Sequence, residues 1–272
     1  SRVLPHETVL AVLEELAPRL CAEPGDEPRF EVRNGEACSK LGVCTDPTER
    51  NILHAASDGV DFLIAHHAWN GEGAEVVAAK RMSLYRLHSA WDLAPEGNLA
   101  TLARMLGLRE LVLRDGALTG TTDLDFKEFL EQSQRLVGRD VLPYCGDPGR
   151  RVRTVGIIPG SGFLPIFRRR WEAMVALGCD TIVSGEISHT AARFAQVNGV
   201  RLVDLGHSGL VRPGMMHLAY LLRCRLMAHG CEVDFYEDAY AVDYHTAAAL
   251  PRPEEDRGAA EPPGGVVLPF PR

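Results

Sequence analysis

The stretch Asp61-Phe62-Leu63-Ile64-Ala65-His66-His67 decides how the rest of the chain is read. Phe62 to Ala65 form an apolar run of the length of a buried strand, and two histidines follow where that strand ends. In an open α/β sheet, ligands gather beyond the carboxyl ends of the strands. Neutral imidazole is the commonest metal ligand among side chains. Neighbouring residues on extended backbone point to opposite sides, so His66 and His67 are poorly placed to chelate one ion together. They are better placed to serve two ions, or one ion and one substrate. The plain alternative is a pair of surface histidines at a strand end.

The same arrangement recurs downstream. A strand at Leu84–His88 runs into Ser89-Ala90-Trp91-Asp92, and one at Val155–Ile158 into Pro159-Gly160-Ser161-Gly162. Thr181-Ile182-Val183 is followed by Ser184-Gly185-Glu186-Ile187-Ser188-His189, and Leu202–Leu205 by Gly206-His207. Helical spacing of apolar residues marks 7–21, a segment from Thr45-Asp46-Pro47-Thr48 to Gly59, and further segments at 74–81, 98–107 and 123–137. Three more helices end near 177, 197 and 230, the last of them starting at Arg212-Pro213. Shorter strand candidates are Phe30–Val32, Leu41–Cys44, Leu111–Leu113 and Glu232–Tyr236, and Pro143 to Arg150 reads as a turn-rich linker. Strands alternating with helices mean an α/β protein with largely parallel sheet. A weak internal echo links Gly59-Val60-Asp61-Phe62-Leu63-Ile64 with Gly178-Cys179-Asp180-Thr181-Ile182-Val183.

Composition sets the outer bounds. The 272 residues are enough for one large or two modest domains. The net charge of −8 argues against a non-specific nucleic-acid binder, which needs a basic face. It leaves room for a nucleotide or other heterocycle held by a few local cations. No apolar run approaches the roughly 18 residues of a membrane span, and the first residues lack the apolar core of a signal peptide. Seven scattered cysteines without a C-x-x-C suit reduced thiols, so a cytoplasmic protein is expected. From about 246 the chain turns to Pro, Gly, Ala, Asp and Glu, a composition that cannot pack by itself.

Four strand ends thus deliver candidates for chemistry: His66 and His67, His88 and Asp92, Glu186 and His189, and His207. Carboxylate plus imidazole without thiolate suits zinc, manganese, iron or nickel without choosing among them. His88 either orients Asp92 through a hydrogen bond or ligates metal, and Asp92 is read as a ligand rather than a turn cap. Glu186 is either a helix-entry acid favoured by the dipole or a site residue. His189 is read as a surface residue, and His207 as a ligand. Gly160-Ser161-Gly162 could expose N–H groups to an anion, but lacks the spacing of a phosphate loop.

Taken in order, these segments resemble the Nif-three-like family, known in bacteria as type 2 GTP cyclohydrolase I. The resemblance rests on Asp61–His67, His88-Ser-Ala-Trp-Asp92 with Pro95-Glu-Gly-Asn98, Gly160-Ser-Gly162, Ser184-Gly-Glu186, and Leu205-Gly-His207 with Arg212-Pro-Gly-Met215. It implies a two-domain α/β fold with mixed, largely parallel sheets, a dinuclear metal centre in the cleft between domains, and a homohexamer. On that basis residues 1–122 form the first domain and 123–204 the second. Residues 205–245 return to complete the first, and 246–272 are a tail. The family's metal ligands fall on His66, His67, Asp92 and His207. The glutamate usual four residues after the last histidine is Val211 here, and the usual proline after His-His is Ala68. One or two divalent metals are therefore expected. The expected activity is a metal-dependent hydrolase acting on a small heterocyclic or amide substrate, with Glu186 or His88 moving the proton. The alternatives are a non-catalytic metal-binding or protein-interaction member, and a specialised lyase or cyclase.

Overall fold

Phe62, Leu63, Ile64 and Ala65 are all buried, as a strand covered on both faces requires. The computed structural model describes residues 3–238; the tail expected from 246 lies outside the described residues. In chain order the first elements are β1 (Leu4–Pro5), α1 (His6–Leu16), β2 (Arg29–Val32), β3 (Ala37–Cys38), β4 (Lys40–Cys44) and α2 (Glu49–Ser57). Next come β5 (Phe62–Ala65), α3 (Ala74–Ala79), β6 (Ser83–Arg86), α4 (Ser89–Asp92) and α5 (Asn98–Met105). Then follow β7 (Arg109–Arg114), β8 (Ala117–Leu124), α6 (Phe126–Val137), β9 (Tyr144–Cys145), β10 (Val152–Ile157) and α7 (Arg168–Ala176). The chain closes with β11 (Thr181–Ser184), α8 (His189–Asn198), β12 (Arg201–Asp204), α9 (His207–Leu226) and β13 (Glu232–Tyr236).

Two sheets carry the fold, beside a small β1–β3 pair. The first has the order β13-β4-β5-β6-β2, parallel except for the edge strand β2. The second has the order β7-β8-β10-β11-β12-β9, with a parallel centre of β10, β11 and β12 and antiparallel strands outside it. Side chains alternate across each strand. Leu41, Val43, Phe62 and Ile64 join Val155, Ile157, Val183 and Val203 in one core, filled by Leu99 and Leu102 of α5 and Met215 and Leu218 of α9. The other face of the first sheet, Leu63, Ala65 and Leu84, is covered by Ile52, Ala55 and Val77 of α2 and α3. Trp171, Met174 and Phe194 of α7 and α8 cover Ile182 and Leu202 of the second sheet. Among the described residues no helix is long and apolar enough to cross a membrane.

Several elements differ from the sequence expectation. The helix expected over 7–21 stops at Leu16, because Pro18 bars helical geometry at Ala17, which sits at φ −132°, ψ 74°. The chain then makes one 3-10 turn, Arg19–Cys21. Within the expected segment α2 is capped by Thr48, whose Oγ1 accepts from the Asn51 N–H. The last long helix starts at His207 rather than Arg212: Gly206 at φ 74° turns the chain straight out of β12, and Pro213 lies inside the helix. β7 and β8 form a hairpin over Asp115 and Gly116, both at positive φ, a two-residue loop of the mirror-image type I kind. Both strands hydrogen-bond into the second sheet, which in chain order begins at Arg109. β9 falls in the segment read as a linker and edges the same sheet.

The loop 93–97 lies directly on α4. A Cβ on Gly97 would fall 1.7 Å from the Trp91 carbonyl oxygen, while Trp91 Nε1 donates to the Gly214 carbonyl in α9 at 3.1 Å. Gly97→Ala is therefore expected to destabilise the protein by about 1–3 kcal/mol, seen as a fall of several degrees in Tm. The exposed neighbour change Glu96→Ala should stay within about 0.5 kcal/mol of the parent. Equal Tm values for the two variants would refute the tight approach.

Candidate functional site

The carboxyl ends of three parallel strands lie level. Cys44 pairs with Ala65, and Ala65 with Arg86. The residues that follow, Asp46, His66 with His67, and His88, therefore emerge together. In the second sheet Ser184 is level with Asp204. The Asp204 carboxylate accepts from the Ile187 and Gly206 N–H groups at 3.0 and 2.8 Å, which shapes the two turns carrying Glu186 and His207.

Each histidine is fixed by its Nδ1. That of His66 lies 3.0 Å from the Leu87 carbonyl oxygen. A carbonyl only accepts, so Nδ1 carries the proton and Nε2 is bare. His67 Nδ1 lies 2.7 Å from Asp46 Oδ1, and His88 Nδ1 lies 2.8 Å from Asp26 Oδ2. Asp26 is held in turn by the Ser89 N–H at 3.0 Å and Arg86 Nη2 at 3.1 Å. His207 Nδ1 faces Ser161 Oγ at 3.1 Å and Glu186 Oε2 at 3.6 Å. The free nitrogens then converge: His67 Nε2 meets His207 Nε2 at 3.0 Å, and His66 Nε2 meets Asp92 Oδ1 at 3.3 Å. One ring nitrogen each of His66, His67 and His88 lies within 4.8 Å of the others.

The site's electrostatics favour uncharged His66 and His207 rings. Burial first, then the neighbouring His67 and His88, holds the His66 pKa well below its ordinary value. Burial and His67 lower His207, with Glu186 working against them. Burial pushes Asp92 up to about 6, although His88 and the Asn98 amide, which donates to Asp92 Oδ1 at 2.8 Å, pull the other way. At 3.0 Å the Nε2 atoms of His67 and His207 have room for one shared proton or ion between them, and the bare His66 Nε2 facing the Asp92 carboxyl likewise needs a proton or a cation there. The donor set, imidazoles whose Nδ1 atoms each face an oxygen, fits a divalent metal ion.

The residues singled out from sequence are largely brought together. His66, His67, Asp92 and His207 lie in contact pairs, and His88 joins the nitrogen cluster. A cavity of about 210 Å³ is lined by His66, His88, Asp92, Ser161, Arg170 and His207 among others. That is below the size of a typical drug-sized ligand site, so it takes a small molecule or one end of a larger one. Glu186 stands outside that lining, behind His207. His189 is exposed at the start of α8. Val211, at the usual glutamate position, is buried in the core with Val203 and Leu205. The sequence reading missed Asp26, Asp46 and Asn98 as partners. Asp46 had a signal, a carboxylate two residues beyond a buried strand. Asn98 opens α5 with its side chain turned to Asp92.

Comparison with known proteins agrees with this architecture. The family model Duf34/NIF3 (NGG1p interacting factor 3) matches residues 6–239. A protein of Haemophilus influenzae named GTP cyclohydrolase 1 type 2 homolog is 25% identical over 226 residues, covering 76% of this chain and 87% of that one. Reduced HcgD from Methanocaldococcus jannaschii superposes with a TM-score of 0.74 at 22% identity, covering 87% of this chain and 99% of that one. A Bacillus cereus protein related to NIF3 gives 0.78 at 14% identity, over 90% and 99%. The two solved structures are likenesses of fold. The chain belongs to the Duf34/NIF3 family.

Two outcomes follow from the site itself. Asp92 binds its proton more tightly folded than unfolded, so its contribution to stability falls as pH rises from about 4 through 6. In metal-free protein Asp92→Asn should raise Tm by several degrees at pH 7.5 and change it much less near pH 5, where the parent is largely protonated. A difference independent of pH would refute this. Glu186 holds φ 64°, a left-handed conformation costly for a side-chain-bearing residue. Glu186→Gly is expected to stabilise the metal-free protein by about 1 kcal/mol, and a destabilised variant would show that the carboxylate outweighs the strain.

Proposed function

Taking membership of that family as the premise, we propose that the protein is a metal-dependent hydrolase acting on a small heterocyclic or amide substrate, of the kind named by its GTP cyclohydrolase 1 type 2 relatives. One observation carries this. His66, His67 and His88 bring one ring nitrogen each within 4.8 Å of one another, and His67 and His207 bring their Nε2 atoms to 3.0 Å, while the Nδ1 of all four faces an oxygen. His66 with Asp92, and His67 with His207, would hold one or two divalent ions. A bound ion supplies Lewis acidity and lowers the pKa of water in the cleft. His88, backed by Asp26 and facing the cavity, is placed to take and return the proton. Glu186, behind His207, orients that ring. Val211 leaves Asp92 as the ligand set's carboxylate. With no second negative charge between two ions, the second should bind more weakly.

Val211 also favours a second reading, a family member that binds metal or a partner without turnover. Elemental analysis of metal per chain, beside turnover assays with GTP and simpler heterocyclic amides, separates the two. His66→Ala and Asp92→Ala should lose metal and activity together while keeping their circular dichroism. Asp46→Ala, which removes only the acceptor behind His67, should weaken metal binding by about 10- to 100-fold. Activity unchanged in the His66 and Asp92 variants would sink the hydrolase reading. Full metal loading without turnover would support the second.

A further inference from the structure

Across the cavity from the histidines lies a cation that the metal chemistry does not use. Arg170 of α7 lines the cavity with Phe167 and Glu23. Its Nη2 donates to Glu23 Oε1 in a close ion pair. The pair is built into the site: the Glu23 N–H donates to Ser89 Oγ at 2.9 Å, beside His88. The β7–β8 turn leaves room for it, since a Cβ on Gly116 would fall 2.7 Å from Glu23 Oε1 and 2.9 Å from Arg170 Nη2. The guanidinium carbon stands 5.3 Å from the centre of the Phe167 ring.

The donor count is unbalanced. A guanidinium offers five N–H donors in a fixed plane and is always charged. Among the described residues Arg170 donates to Glu23 alone, which leaves its other donors without a protein acceptor. The Arg170 side chain is 22% exposed, half the 44% of Glu23, and it lines the cavity, where its remaining N–H groups stay accessible to a ligand. A carboxylate or phosphate group supplies two coplanar oxygens matched to the fork.

We propose that Arg170 reads an oxyanion on the substrate, a carboxylate or a phosphate, and that Glu23 holds the guanidinium in place until the anion arrives. This deepens the hydrolase reading by naming a substrate class, but the anion site itself needs neither metal nor turnover. The test is therefore made on the full chain stripped of metal with a chelator and dialysed. Inorganic phosphate and acetate are titrated separately by calorimetry against the parent, Arg170→Gln, Arg170→Lys and Glu23→Gln. At least one anion should bind the parent. Affinity should fall by about tenfold or more in Arg170→Gln and partly in Arg170→Lys, which keeps the charge but loses the fork. Glu23→Gln, which keeps Arg170 and removes its competitor, should bind several-fold more tightly. Phosphate preferred over acetate assigns a phosphate group, and the reverse a carboxylate. Equal binding by parent and Arg170→Gln, binding unchanged in Glu23→Gln, or no binding of either anion would overturn the proposal and leave the pair a tie between two parts of the chain. Failure of the hydrolase reading would show separately, as absent turnover in metal-loaded protein.

Discussion

The register of three parallel strands is the constraint on which the site depends. Cys44, Ala65 and Arg86 end level, and everything beyond them inherits that alignment. A slip of one residue in β5 would exchange the directions of His66 and His67. It would break the contact of one with Leu87 and of the other with Asp46. The burial of Phe62–Ala65 on both faces makes such a slip costly, since no face of the strand is free to accept polar neighbours. The opposite wall has a similar tie. Asp204 spends its carboxylate on backbone N–H groups of two adjacent turns, and so sets Glu186 and His207 at a fixed spacing.

Packing strength and polar frustration are found side by side here. The apolar strands supply burial; the polar ends pay for it in desolvated rings and a carboxyl that resists ionising. Such groups would be poor choices for stability alone. Each, however, is held by a neighbour whose role is geometric: Leu87, Asp46, Asp26, Asn98 and Ser161 point a nitrogen or an oxygen toward one small volume. Side chains aimed in advance would lose little entropy on taking up a cation.

The parts of this site legible in the sequence were those at the ends of apolar strands. His66-His67, His88 to Asp92 and Gly206-His207 each follow a short hydrophobic run, and the polar residue after such a run is conspicuous. β8 was not legible by the same test, because Thr119, Thr121 and Thr122 lack an apolar stripe; the Asp115-Gly116 turn was the signal available, and it went unread. Asp26 had no local signal. It sits in a polar loop far from His88 in sequence, and only the fold brings them together. Glu186 was legible as a strand-end acid, but its left-handed backbone and its place behind His207 were not. Val211 could be recognised as a departure from the family pattern, whereas its burial among core residues needed the structure.

Among the described residues the last strand to be made is also the one that closes the first sheet. β13 pairs with β4, joining Glu232 to Lys40, while the strands of the second sheet, β7 to β12, run without interruption from Arg109 to Asp204. On the ribosome the second sheet therefore has all its strands before the first does. The first sheet waits, with the edge of β4 unpaired, for a segment that emerges only after α9. Long-range parallel pairing of this sort is slow to form. His207 opens the very helix that leads to β13. The fourth histidine and the sheet that carries the other three are thus completed only after the strands of the second sheet have been made.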